Sequence, residues 1–131
     1  MYIKTLIKGV MLSMLLSSGA ANADWGDVYY CQMTNYIEIS LEGEKFNYKT
    51  YGTLEKLQFK LDQTKNAMVF GSTGYFADSV KELTTGRNWP SKEKWYASGT
   101  SSIAYFDEGK FLYTRNGSMG IVSVSAVCDK F

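Results

Sequence analysis

Apolar and polar residues alternate through most of the chain beyond residue 28. Leu57, Phe59 and Leu61 alternate with Lys56, Gln58, Lys60 and Asp62, the period-two pattern of a strand with one buried face. A polar stretch over 62–66 and a return run over 68–70 complete a predicted hairpin with a longer loop. Upstream, Ile37, Ile39 and Leu41 alternate with Glu38 and Ser40 within 29–41. That run breaks near Thr34-Asn35, which leaves either two strands or one bulged strand. Glu42-Gly43 reads as a turn, followed by the aromatic, β-prone stretch 46–51. In the last third, 102–106 and 110–114 flank the turn Asp107-Glu108-Gly109. Asn116-Gly117 gives a further hairpin signal, and Val122, Val124, Ala126 and Cys128 share one face of the final strand.

The middle of the chain is less regular. Gly71-Ser72-Thr73-Gly74 interrupts the alternation as a turn and lacks the lysine and spacing of a phosphate loop. Asp78-Ser79 can cap a short helix around 78–84, with Val80 and Leu83 on one face and Gly86 ending it. Trp89-Pro90 contains the single proline, and 91–101 is the longest irregular stretch. The expectation is an all-β, mainly antiparallel domain. It is a small meander barrel or sandwich of about seven or eight strands with that one short helix.

The first residues read differently. Lys4 and Lys8 precede an apolar run over 10–16, and small residues lead to Ala21-Asn22-Ala23. This is the order of a secretory signal peptide cleaved after Ala23, and the apolar run is short for a membrane span. Residues 1–23 are therefore assigned to the signal and 24–131 to a single β-rich domain, which is expected to be secreted or periplasmic. Cleavage leaves 108 of the 131 residues, with 12 basic and 13 acidic side chains. So balanced a charge gives no bulk electrostatic basis for binding nucleic acid.

Export places Cys31 and Cys128, the two cysteines of the chain, in an oxidising compartment. With no histidine in the sequence and no C-x-x-C spacing, metal and redox roles are poorly supported. The reading is a structural disulfide joining the first and last strands, which then become neighbours. Neither cofactor nor metal is expected, and the chain is read as a monomer.

Catalysis has little support. Serine hydrolase chemistry lacks both its histidine base and a G-x-S-x-G motif. The carboxylates are scattered over turns and polar faces rather than paired as glycoside hydrolysis requires. The domain is read as a non-enzyme. Its aromatic content points towards binding: 19 of the 108 residues are Tyr, Phe or Trp. Strands favour aromatics in any case, so the informative ones are those in or beside the irregular segment: Tyr75, Phe76, Trp89, Trp95 and Tyr96. Lys81, Arg87, Lys92 and Lys94 lie among them, and Arg87 joins the candidate binding residues.

Ala97-Ser98-Gly99 followed by Tyr105, with Cys128 near the end of an exported β domain, resembles the small periplasmic inhibitors of c-type lysozyme. The resemblance implies a similar architecture and carries no inhibitory loop residue by residue. The leading expectation is a barrel that binds a small hydrophobic or aromatic ligand. The alternatives are a secreted protein-binding or inhibitory module and an envelope-associated structural protein without a discrete site. The first predicts an apolar cavity, and the second an exposed aromatic patch.

Overall fold

The computed structural model describes residues 23–51, 54–84, 94–118 and 120–131. Among them nine strands form one antiparallel sheet. They are β1 (Val28–Glu42), β2 (Lys45–Thr50), β3 (Lys56–Asp62), β4 (Ala67–Phe70), β5 (Val80–Glu82), β6 (Lys94–Ser98), β7 (Ser102–Asp107), β8 (Lys110–Gly117) and β9 (Gly120–Lys130). The hydrogen-bonded order is β5-β4-β3-β1-β9-β8-β7-β6. The two ends of this path meet where the Thr84 N–H donates to the Tyr96 carbonyl at 2.8 Å. Nearby, the Ser98 N–H donates to Thr84 Oγ1 at 3.2 Å. The result is a nearly closed eight-stranded barrel. The ninth strand, β2, pairs with the far half of β1 and forms an arm.

Alternation sets the two faces of the wall. Tyr29, Cys31 and Met33 point inward from β1, Leu57, Phe59 and Leu61 from β3, and Val122, Val124, Ala126 and Cys128 from β9. Cys31 and Cys128 are directly opposed in the β1–β9 register and form the expected disulfide. Phe59, Phe106 and Phe111 have no exposed surface, and the Phe59 ring lies 5.2 Å from Phe106 and 5.8 Å from Phe111, centre to centre. Burying each such ring contributes about 1.5–3 kcal/mol. Opposite Tyr113, the wall carries Ala104 and then Ala97, so small side chains make room for a large one.

The register of β1 shifts between Met33 and Asn35. This bulge exchanges the faces: Tyr36 and Glu38 oppose Val124 and Val122 on the inner face, and Ile37, Ile39 and Leu41 turn outward. The interrupted alternation is therefore one bulged strand. At its far end, β1 passes so close to β9 that a Cβ on Gly120 would collide with the Ile39 carbonyl oxygen.

Two local expectations are corrected. The helix around 78–84 is not formed. Asp78 takes a φ of 60°, and Val80–Glu82 becomes β5, with Val80, Lys81 and Glu82 opposite Val69, Met68 and Ala67. The open edge of β4 offers unpaired backbone groups, and pairing with them outweighs one capping residue and two suitably spaced apolar side chains. Asn116-Gly117 lies within a hairpin but not at its reversal. Asn116 opposes Ile121 and Gly117 opposes Gly120, so both residues are still paired within the hairpin. At the other predicted turn, Glu108 and Gly109 both have positive φ, 46° and 75°, as a tight two-residue hairpin requires.

Candidate functional site

The connection between β4 and β5 builds one end of the barrel. It folds on itself through the Ala77 N–H to the Gly74 carbonyl at 3.1 Å and the Asp78 N–H to the Gly71 carbonyl at 2.8 Å. Gly74, at φ 91°, lies against the backbone of Lys56 where a Cβ would not fit, so the loop seats directly on β3. This brings two adjacent aromatic residues to the barrel end. Phe76 is buried, 4.7 Å from Tyr113, 4.9 Å from Phe70 and 5.6 Å from Phe111 between ring centres. Tyr75 is half-buried and meets Tyr36 edge-on at 5.6 Å, and Tyr36 meets Tyr51 edge-on at 4.6 Å. Around these three tyrosines lies an open cleft of about 190 Å³, completed by Met33, Leu54 and Glu55.

The cleft is apolar with acidic margins. Burial pushes the Tyr36 hydroxyl well above its ordinary ionisation range, reinforced by a hydrogen bond with Tyr75 and by the nearby Glu38 carboxylate. Tyr36 donates to Glu38 Oε2 at a long 3.5 Å. Glu55 is held through its backbone, its carbonyl accepting the Met33 N–H at 3.1 Å. No basic side chain lines the cleft among the described residues.

Next to it, Lys81 reaches in from β5, and its Nζ lies 4.5 Å from the ring centre of Tyr113, 5.2 Å from Phe76 and 6.0 Å from Phe70. Burial and the positive charge of Arg115 lower the pKa of this amine. Tyr113 is shifted upward, chiefly by burial.

The sequence-derived candidates divide by position. Tyr75 borders the cleft, and Phe76 lies beside it within the core. Trp95 is a core residue at 2% exposure, packed edge-on against Trp25 at 4.8 Å. Its Nε1 is buried without a hydrogen-bond partner among the described residues. Tyr96, the next residue of β6, faces the other side of the wall, opposite Tyr105. It borders a more open depression lined by Ser98, Ser102 and Thr114. Arg87 and Trp89 lie outside the described residues. The structure thus brings Tyr75 and Phe76 together and places Trp95 and Tyr96 on opposite faces of one strand.

Tyr36, Tyr51, Leu54 and Glu55 were not anticipated as site residues. Tyr36 reaches the inner face only because of the bulge. The break at Thr34-Asn35 was the available signal, but it does not say which parity resumes.

Comparison of the chain with protein-family models, curated proteins and solved structures returned no match. A second surface is prominent on the arm. Phe46 is 77% and Tyr48 64% exposed, opposite Leu41 and Ile39 of β1.

Proposed function

We propose that this protein is an exported binding module that takes a small hydrophobic or aromatic group into the cleft between Tyr36, Tyr51 and Tyr75. One observation carries the reading: three tyrosine rings, two of them edge-on to the third, surround an open space floored by Met33 and Leu54. Its volume of about 190 Å³ falls below the roughly 300–1,000 Å³ typical of pockets for drug-sized ligands. The fitting ligand is therefore a small molecule or the head group of a larger one. The barrel and its interlocked aromatic core are compatible with a scaffold that holds a ligand. Among the described residues that line the cleft none is a serine, cysteine or histidine, and the proposed role is retention rather than reaction.

Export follows from the N-terminal pattern. The Cys31–Cys128 bridge is compatible with a secreted or periplasmic location, and no described helix is long and apolar enough to cross a membrane.

A second reading has its own observation. Phe46 and Tyr48 are mostly exposed on β2, which among the described residues pairs with β1 alone, and Ile39 and Leu41 stand beside them. An aromatic arm with a free strand edge suits a protein partner.

Native mass spectrometry of protein isolated from the producing cells separates the two. A copurifying small mass that disappears in Tyr51→Ala and Tyr75→Ala supports the cleft. A copurifying protein lost in Phe46→Ser and Tyr48→Ser replaces that reading with the second.

A further inference from the structure

We infer that the group recognised in the cleft is an alkylated ammonium cation, such as a trimethylammonium head group. The inference rests on the reading of the cleft as a small-ligand site and names the chemistry of that ligand.

Three features converge on it. First, three tyrosine rings line the space, and Tyr36 stands at 86° to Tyr51 and 71° to Tyr75, so they border it with a mixture of edges and faces rather than as a stack. Ring faces carry partial negative charge, and those turned to the space attract a cation too bulky and too apolar to be well hydrated. Second, the remaining lining is Met33 and Leu54, which suit methyl groups, and Glu55, which supplies a full negative charge. Glu38 adds a second carboxylate behind the Tyr36 hydroxyl. Third, no basic side chain lines the space among the described residues, and Lys81 beside it is seated over its own rings, so a carboxylate or phosphate group would find no counter-charge in the lining. A neutral aromatic ligand would satisfy the rings but would gain nothing from Glu55 at their edge.

The same end of the barrel already holds an ammonium by this means. Lys81 Nζ rests over Tyr113, Phe76 and Phe70, and Phe76 is also in contact with Tyr75. Lys81 fills its own set of rings and leaves the Tyr36–Tyr51–Tyr75 set open.

The test uses a pair of probes of equal shape, choline and its uncharged carbon isostere 3,3-dimethylbutan-1-ol, titrated by isothermal calorimetry into the oxidised protein. Choline is expected to bind at least about tenfold more tightly than the alcohol. Glu55→Gln should reduce choline affinity several-fold and leave the alcohol unchanged, and Tyr51→Ala should weaken both. Tyr51 is about half exposed, so its removal spares the core. If the alcohol binds as well as choline, the cation inference is overturned and the apolar cleft stands. If neither probe binds while circular dichroism shows an intact barrel, the cleft reading itself fails and takes this inference with it.

Discussion

Cys31 and Cys128 face each other across β1 and β9, the strands that begin and end the barrel, and are covalently joined although 97 positions apart. The bridge thus closes a loop that spans nearly the whole barrel, and it lies where the wall is already paired from Tyr29 to Ser40. In the chain-entropy account, cross-linking about 98 residues stabilises by roughly 4–5 kcal/mol through the unfolded state. A small domain has about 5–15 kcal/mol in total. Reduction, or Cys31→Ser with Cys128→Ser, is expected to lower the unfolding free energy by up to that amount. Urea denaturation with and without reductant measures it. A loss below about 1 kcal/mol would show that the clasp removes little freedom from the unfolded chain.

Gly120 is the second point where β1 and β9 depend on each other. A methyl group there would collide with the Ile39 carbonyl oxygen and crowd the Ser40 Cα, both part of the backbone and unable to rotate away. Gly120→Ala is expected to cost about 2 kcal/mol or more. The loss should be local, with amide hydrogen exchange accelerated along residues 37–42 and their β2 partners more than in β3. Stability equal to wild type would mean that the two strands can move apart without penalty.

Most of the barrel was legible because most of its strands have one apolar and one polar face. The β3 alternation, the β3–β4 hairpin and the inward face of β9 follow from period two, and the Glu108-Gly109 turn from its glycine. What escaped was decided by partners rather than by local sequence. Val80–Glu82 is a strand because β4 needs a neighbour, and nothing within 78–84 reports that need. Ile37 and Ile39 have the spacing of a buried face, yet one extra residue at the bulge turns them outward and brings Tyr36 to the cleft. Trp95 and Tyr96 look alike in an irregular stretch, but as neighbours on a strand they cannot share a face. The cleft gathers Tyr36, Tyr51 and Tyr75 from three separate segments, a convergence that spacing does not encode.

The start of the domain carries a testable geometry. The Asp24 N–H donates to Asp27 Oδ2 at 2.8 Å, and Lys130 Nζ lies 2.9 Å from the same oxygen. Cleavage after Ala23 would convert that amide into an α-ammonium beside a carboxylate that already accepts its hydrogen. The new charge would be paired as soon as it is formed. Intact-mass measurement of the exported protein is expected to give a chain beginning at Asp24. Asp27→Asn removes the charge of a carboxylate that also partners the Asp24 nitrogen and Tyr29, so it is expected to destabilise by about 1 kcal/mol or more. A mature chain beginning several residues later would remove this arrangement, along with Trp25 from its contact with Trp95.

Alkaline pH should open the barrel through Tyr29. Its ring is buried against Phe106 at 4.6 Å and Phe59 at 5.5 Å, and its pKa is pushed up to about 12 by burial first and then by the charge of Asp27 and a hydrogen bond with it. An unfolded tyrosine ionises near pH 10. Between these values the unfolded chain releases a proton that the folded chain retains, so the unfolded state binds fewer protons and stability falls as pH rises. The contribution is complete below about pH 10 and disappears as the pH passes about 12. Tyr36 and Tyr113 are shifted in the same direction, so they steepen the decline. Urea midpoints are expected to hold steady up to about pH 10 and then drop, with the sharp rise in tyrosinate absorbance coinciding with loss of the near-ultraviolet circular dichroism signal. Tyr29→Phe keeps the ring and removes the ionisation, so its midpoint should fall less steeply over the same interval. An identical slope in this variant would assign the alkaline transition to the other tyrosines.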